Sequence, residues 1–506
     1  MMKKQGKVWL VGAGPGDAGL LTIKGKKILE QAEVVVYDSL VGDSVLSMIP
    51  RTARLINVGK RAGNHLMKQE GINQVLLEEA QNGYRVVRLK GGDPFLFGRG
   101  GEELELLAEH QIPFEVVPGV TSSIAVPAYN GIPVTHRDFC SSVHIITGHK
   151  KAGQEYNIDF EALVRTGGTL VFLMGVTALQ DICSHLLAAG MNPDTPAAIL
   201  QQGTTAGQKK IVATVATLKQ EVDRQGIETP AIIVVGGVCS TAEKFTWYEK
   251  LPLSGCKVLV TRPKELISSM AEKLREQGAE VLELPAIAVA PVKDKEQIQA
   301  CLDHIETYQW IAFTSPSGVR IFFELLLEEG KDIRSLGGVK IAAIGRGTQK
   351  ALKQWGIYPD LMPEVFDGAS LGRKMAETCE ENASILIPRA AIGNREIIEE
   401  LSQRPDLHID DVATYDTTYE KQELINVAAE FEQGKITYAV FTSASTVRGF
   451  VQAVPDLDYS CVNALCIGKQ TEAEAKKYGM KTWVSQEASI DSLVELVIES
   501  YKQGGC

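Results

Sequence analysis

Short β-branched runs alternate with helical periods along the whole chain, and this alternation constrains the fold more than any other feature. Val8–Val11, Val34–Tyr37, Val86–Lys90, Val143–Thr147, Thr169–Leu173 and Ile232–Val235 read as strands. Strands separated by helices build βα units, so an α/β class with mainly parallel sheets is expected. The segment Thr246–Gly255 (TWYEKLPLSG) interrupts the pattern before a fresh strand at Lys257–Val260, and marks the main domain boundary. With 506 residues the chain has material for several hydrophobic cores.

Beyond that boundary the sequence repeats. KVLVTRP, with Val258, is echoed by SILIPRA from Ile385; AFTSPSGV around Phe313 returns as VFTSASTV around Phe441; AAIGRGTQKAL around Gly345 returns as LCIGKQTEAEA around Gly468. Three echoes in one order at one spacing, roughly 125 residues, imply two related α/β units with a cleft between similar lobes.

Charge narrows the partners. Lys plus Arg total 52 against 63 for Asp plus Glu, a formal net charge of −11. An acidic chain is a poor general binder of nucleic acid or anionic membrane, so neither is expected as a partner. No apolar run approaches the length of a membrane span, and Met1–Lys7 leads straight into a strand rather than a signal-like apolar core, which predicts a cytoplasmic protein. Nine cysteines without a Cys-x-x-Cys pair fit reduced thiols, and the eight histidines lack metal-ligand spacing, so no metal is expected.

Three glycine-rich turns carry the chemistry of the first half. Gly12-Ala13-Gly14-Pro15-Gly16-Asp17 follows a strand, but Asp17 stands where a dinucleotide fingerprint needs its third glycine, and Pro15 lacks an amide for a pyrophosphate. Arg88-Leu89-Lys90-Gly91-Gly92-Asp93-Pro94 and Pro118-Gly119-Val120-Thr121-Ser122-Ser123 also fall at strand ends, where ligands of open α/β sheets bind. Singly, each is equally an ordinary βα turn.

The strings VGAGPGD (Val11–Asp17), YDSLV (Tyr37–Val41), VGKR (Val58–Arg61), RLKGGDPFLFGRGGEE (Arg88–Glu103), VPGVTSS (Val117–Ser123) and GIPVTHRD (Gly131–Asp138) together resemble the uroporphyrinogen-III C-methyltransferase family over roughly residues 6–245. The resemblance implies a tetrapyrrole-methylase fold of two α/β subdomains, about 1–118 and 119–245, with S-adenosylmethionine between them and S-adenosylhomocysteine as released product. It implies cofactor contacts at Pro15, Gly91, Gly92, Asp93, Leu96, Thr121, Ser122, Met174 and Gly203; Met174 is equally simple core packing. It casts Asp38 as proton acceptor and Lys60 as donor, although Asp38 suits capping of the Ser39–Val41 turn just as well. Lys60, Arg61, Arg88, Lys90, Arg99, Arg137 and Lys150 are the candidate partners for the carboxylates of uroporphyrinogen III.

The second half is similar to the uroporphyrinogen-III synthase family over roughly 256–500, through VLVTRP, AFTSPSGV, AAIGRGT, YDTTY (Tyr415–Tyr419), VFTSASTV and CIGKQTEAEA. That resemblance implies a two-lobed α/β synthase fold after a 246–255 linker, with one lobe of about 256–287 plus 418–506 and another of about 288–417. Extended crossings near Leu284–Pro291 and Val412–Tyr419 would join the lobes, with Tyr415 as the suspected acid facing the cleft, or equally a packed hinge tyrosine. Thr314, Ser315, Thr442, Ser443, Gly468 and Thr471 fall at helix starts, which bind anions or merely cap. Arg262 and Arg389 occupy equivalent repeat positions, suited to holding carboxylates.

The two resemblances interlock, since one family's product is the other's substrate. A bifunctional enzyme is expected that closes hydroxymethylbilane to uroporphyrinogen III and methylates it twice to precorrin-2, toward sirohaem or cobalamin. The alternative is a methyltransferase carrying a non-catalytic tetrapyrrole-sensing module. The first resemblance also implies a homodimer through the methyltransferase half.

Overall fold

A computed structural model describes residues 6–59, 67–149, 157–261, 268–284, 287–419 and 425–504; Lys60, Arg61, Lys150 and Arg262 lie outside them. The chain forms two compact units, Met1–Leu284 with Gln422–Cys506, and Pro285–Lys421. Among the described residues no helix is long and apolar enough to cross a membrane.

The first unit opens with strands β1 (Lys7–Gly12), β2 (Val34–Tyr37), β3 (Arg54–Asn57), β4 (Arg85–Lys90) and β5 (Phe114–Val117), ordered β3-β2-β4-β1-β5 and wholly parallel. The inner strands are apolar because both faces are covered. Val8, Leu10, Val34, Val36 and Val86 pack against Ile72 and Leu76 of the helix Gln69–Gln81.

A second sheet holds β6 (Val143–Thr147), β7 (Thr169–Leu173), β8 (Pro196–Gln201), β9 (Lys209–Thr214) and β10 (Ala231–Val235), ordered β6-β7-β10-β8-β9. Here the expectation of mainly parallel pairing fails. Only β6 and β7 run parallel, while β10 lies antiparallel to both neighbours and β8–β9 is a hairpin. The seven residues between β8 and β9 are too few for a crossover helix.

The segment 246–255 is ordered rather than a loose tether. Tyr248 is buried and donates its hydroxyl to Gly278 O at 3.2 Å, and Leu253 N donates to Gln277 O at 2.8 Å. Strands β11 (Lys257–Thr261) and β12 (Glu280–Leu284) follow. The chain next forms β13 (Ile287–Pro291), β14 (Trp310–Phe313), β15 (Lys340–Ala343), β16 (Ser384–Ala390) and β17 (His408–Tyr419), then returns with β18 (Tyr438–Phe441), β19 (Asn463–Cys466) and β20 (Lys481–Val484). One sheet, β12-β11-β18-β19-β20, is parallel and lies in the first unit; the other, β13-β17-β16-β14-β15, is parallel except for β13 and makes the second unit.

The sequence repeat is real but assembled crosswise. In chain order it reads β11, β14, β15 and then β16, β18, β19, yet β11 pairs with β18 and β16 with β14. Each sheet therefore borrows one strand from the other repeat. The two segments expected as extended crossings are in part a strand pair, with Ile287 opposite Tyr419 and Pro291 opposite Tyr415. Ile287, Thr418 and Tyr419, placed with the first lobe by the sequence reading, thus belong to the second unit's sheet.

Candidate active site

The glycine turns converge where β1, β4 and β5 end. Gly14 and Gly92 exchange backbone hydrogen bonds at 3.2 and 2.7 Å, and a Cβ on Gly119 would lie 2.2 Å from Gly92 O, so only bare backbone fits. Asp93 fastens the assembly. Its Oδ1 accepts from Phe95 N at 2.8 Å and Leu96 N at 3.1 Å, and its Oδ2 from Gly119 N at 3.0 Å. Asp93 thus shapes the turn, and its Oδ2, which accepts from Gly119 N, keeps acceptor capacity on the cleft wall.

Beside this junction lies a cleft of about 580 Å³, within the first unit and walled by the β1–β5 and β6–β10 sheets. Pro15, Gly91, Gly92, Asp93, Leu96, Thr121, Ser122, Met174 and Gly203, scattered over nearly two hundred positions, all line it, together with Asp38 and Arg99. Met174 is not core packing: it is 53% exposed and holds φ at 55°. Phe97, Arg99 and Gln202, also on the wall, and Thr204, next to Gly203, share the left-handed region at φ 53, 58, 44 and 71°. Strain of this kind persists where surrounding structure enforces it, and it gathers at functional sites.

The polar end of the cleft rests on a buried charge network. Arg88, 3% exposed, places Nε 3.1 Å from Glu103 Oε1 and Nη2 3.3 Å from Asp38 Oδ2; Lys90 Nζ lies 2.8 Å from the same Glu103 oxygen. Burial, reinforced by the neighbouring Arg88 charge, lowers the Lys90 ammonium pKa, and Glu103 opposes the shift. Asp38 Oδ1 also accepts from Leu40 N at 3.1 Å, so it caps its turn and still faces the cleft. Arg88 and Lys90 therefore both line the cleft while being paired internally with Glu103 and, for Arg88, Asp38. Arg99 pairs through Nε and Nη2 with Glu102 at the cleft mouth, while Arg137 is exposed and is not among the residues lining the cleft. Glu103, Gln69 and Gln202 were missed by sequence reasoning; Glu103 sits inside the quoted RGGEE string, but nothing local says it folds under Arg88.

In the second unit, Tyr415 is 6% exposed within the core, and its hydroxyl meets Ser315 Oγ at 2.8 Å. Burial raises the Tyr415 pKa, against the Ser315 hydrogen bond and the Arg389 charge, so the phenol stays protonated. Ser315 is the N-cap of the helix Pro316–Glu328, accepting from Gly318 N at 2.9 Å. Thr314 beside it is half-buried. Arg389 is not free for a carboxylate: it forks onto Asp411, with Nη2 at 2.7 Å from Oδ2. In the first unit's last sheet layer, Ser443 closes a capping box with Thr446, half-buried Thr442 precedes it, and Thr471 is buried in the helix Lys469–Lys477 that Gly468 caps. Enclosure makes Thr471 unsuited to a ligand contact.

Residues 7–219 match the family model of tetrapyrrole (corrin/porphyrin) methylases, and residues 268–495 that of uroporphyrinogen-III synthase HemD. A porphyrin biosynthesis protein HemD from Ruminiclostridium josui is 48% identical over 496 residues, 98% of each chain. The chain belongs to the HemD family of porphyrin biosynthesis proteins. A uroporphyrinogen-III C-methyltransferase of Bacillus subtilis is 43% identical, covering 73% of this HemD-family chain and 77% of its own length. The uroporphyrin-III C-methyltransferase of Thermus thermophilus, solved with S-adenosylhomocysteine, is 38% identical over 46% of the chain and 99% of its own, at TM-score 0.41. A uroporphyrinogen III synthase from the same species gives 15% identity over 49% and 99%, at TM-score 0.38. As a HemD-family fusion the chain is an S-adenosylmethionine-dependent uroporphyrinogen-III C-methyltransferase and a uroporphyrinogen-III synthase. A purely sensory second half is not favoured, because residues 268–495 match the synthase model itself.

Proposed function

We propose that the cleft between the first two sheets binds S-adenosylmethionine and presents the macrocycle to it, and that residues 1–245 carry methyl transfer while 256–506 carry ring closure, with 246–255 as a packed connector. The observation that carries this reading is the convergence of nine residues from five separate stretches of chain on one strained cleft. The wall fits the group: a Cβ on Gly92 would meet nothing nearer than 4.0 Å, so the missing side chain leaves room where the ligand backbone would lie. Gly91, Gly92, Thr121, Ser122 and Gly203 would hold it, with Met174 as a soft apolar wall. When bound, it supplies an electrophilic sulfonium methyl.

Methyl transfer to a pyrrole carbon that already bears a side arm leaves a cation, which must then lose a proton from elsewhere on the macrocycle. Asp38, oriented by Leu40 N and Arg88, is the acceptor at the cleft; a positioned base of this kind contributes roughly 10²–10⁴-fold. Lys60 as donor and Arg61 as carboxylate partner follow from the family motif and lie outside the described residues. Two turnovers give precorrin-2. In the synthase half Tyr415 is the proton donor to the departing hydroxyl of hydroxymethylbilane, its O–H kept intact by burial beside Ser315. A homodimer through the methyltransferase half and a cytoplasmic site of action complete the reading, supported by the family motifs and by eight unpaired described cysteines.

Supplying hydroxymethylbilane and S-adenosylmethionine to the full chain tests it. A dimethylated isomer-III product by absorbance and mass is expected; unmethylated type I porphyrinogen alone refutes both assignments.

A further inference from the structure

The two loops that wall the cleft are joined by a bridge from the synthase half. β12 is the edge strand of its sheet, and Glu280 at its start reaches the methyltransferase half: Oε2 accepts from Ala206 N at 2.8 Å. Glu280 Oε1 lies 3.1 Å from Lys257 Nζ, which also sits 2.9 Å from Asp43 Oδ2 and 2.9 Å from Glu430 Oε2. Asp43 begins the short helix that follows the Asp38–Gly42 wall segment, and Ser44, next along, donates its hydroxyl to Val281 O of the same strand at 3.0 Å. Ala206 follows the other wall segment, Gln202 and Gly203, in a loop whose Gln202 and Thr204 hold left-handed φ values of 44 and 71° without being glycine. Conformations so disfavoured need several fixed partners, and Glu280 is one of them.

We propose that Glu280 is a positioning residue for the methyltransferase cleft, contributed by the synthase half: with Lys257 and Asp43 it sets the distance between the two loops that would enclose the cofactor. The inference rests on the cleft assignment above. Charged edge strands ordinarily protect a sheet from unwanted pairing; here the edge charge is spent on a specific backbone amide and a buried lysine, both tied to the neighbouring active site.

The test uses the full chain, with S-adenosylhomocysteine binding by calorimetry, methyl-transfer kinetics on supplied uroporphyrinogen III, and synthase turnover as a check on folding. Glu280→Ala should raise the cofactor Kd and KM about 5- to 30-fold, the loss of one well-placed hydrogen bond, with kcat within about threefold. Glu280→Gln should recover most of the affinity, because its amide oxygen still accepts from Ala206 N. Unchanged affinity in Glu280→Ala, or no recovery in Glu280→Gln, overturns the proposal. Should Glu280→Ala lose synthase turnover, Asp43→Asn loosens the same bridge from the methyltransferase side and must raise Kd in the same direction; wild-type affinity there overturns it too. Gly92→Val separates the two ideas. If it leaves binding intact the cleft reading itself fails, whereas loss of binding there with wild-type affinity in Glu280→Ala removes only the bridge.

Discussion

Replacing Asp93 by alanine removes three backbone hydrogen bonds at one stroke. Phe95 N is exposed and recovers a water partner, so its contribution is small, whereas Leu96 N and Gly119 N are partly buried and lose theirs in place. At about 1–2 kcal/mol for each of these two partly buried donors left without its charged acceptor, the turn loses roughly 2–4 kcal/mol of order. If that order is what preshapes the cleft, S-adenosylhomocysteine binding should weaken by about 30- to 1000-fold. Asp93→Asn is the sharper variant: one oxygen still serves Phe95 and Leu96, but the amide nitrogen faces the Gly119 N–H and cannot accept from it. Calorimetric titration of each variant gives the affinity, and synthase turnover in the same molecule reports whether the chain is folded. Binding within threefold of wild type in Asp93→Ala would refute the argument that this carboxylate builds the site.

Other outcomes follow from single contacts. Tyr415→Phe should cost synthase turnover at least about 10²-fold if the phenol is the acid; a loss under tenfold assigns Tyr415 to packing with Ser315 instead. Gly203→Ala drives a Cβ to 2.4 Å from the buried Val126 side chain, and should lower stability and cofactor affinity together by about 1–3 kcal/mol; an unchanged melting curve contradicts the close packing. Lys257→Met leaves Asp43 and Glu280 without this cation and Glu430 with Lys435 alone, and should destabilise the first unit by about 3–5 kcal/mol near neutral pH. Burial works to lower the Lys257 pKa, but Glu280, Asp43 and Glu430 outweigh it and raise the value, so this stability is complete below the ordinary lysine range of about 10.5 and is lost as pH rises above it. The gap between wild type and Lys257→Met in denaturant midpoint should accordingly close in strong alkali and stay constant below pH 9. Burial pushes the thiols of Cys239, Cys256 and Cys466 up to about 12 and those of Cys183 and Cys379 to about 11. Native iodoacetamide labelling at pH 8, read by mass spectrometry, should therefore spare these five and modify Cys140, Cys301 and Cys461.

The central strands were legible because a strand buried on both faces must be apolar throughout, as in Val34–Tyr37 and Ala231–Val235. Their direction was not. An apolar run looks the same whichever way it is threaded, and only the short β8–β9 connection betrays the antiparallel half of the second sheet. Turn glycines were equally legible, since close backbone approach leaves no other residue type for Gly119, and a left-handed φ of 67° favours glycine at Gly92. The ionic roles were harder. Arg88 and Lys90 read as candidate carboxylate partners, and only the structure shows Glu103, 15 and 13 positions away, folded beneath both. Thr471 and Ser443 show the converse: the residue preferences of a helix start are shared by caps and anion sites, so composition alone does not separate them.

The crosswise pairing in the synthase half has a consequence for how the chain is made. β11 leaves the ribosome with β12 for company, and its other neighbour, β18, begins about 180 residues later. At synthesis rates of roughly 5–20 residues per second, that partner arrives some 10–40 s afterwards. Throughout that interval Val258, Leu259 and Val260, all fully buried in the finished protein, lack half their sheet. Strand pairing over such a sequence separation is intrinsically slow and prone to aggregation. The methyltransferase sheets, complete by Val235, have no such wait, so nascent chains should engage chaperones during translation of the middle of the synthase half and release them only once the returning strands emerge.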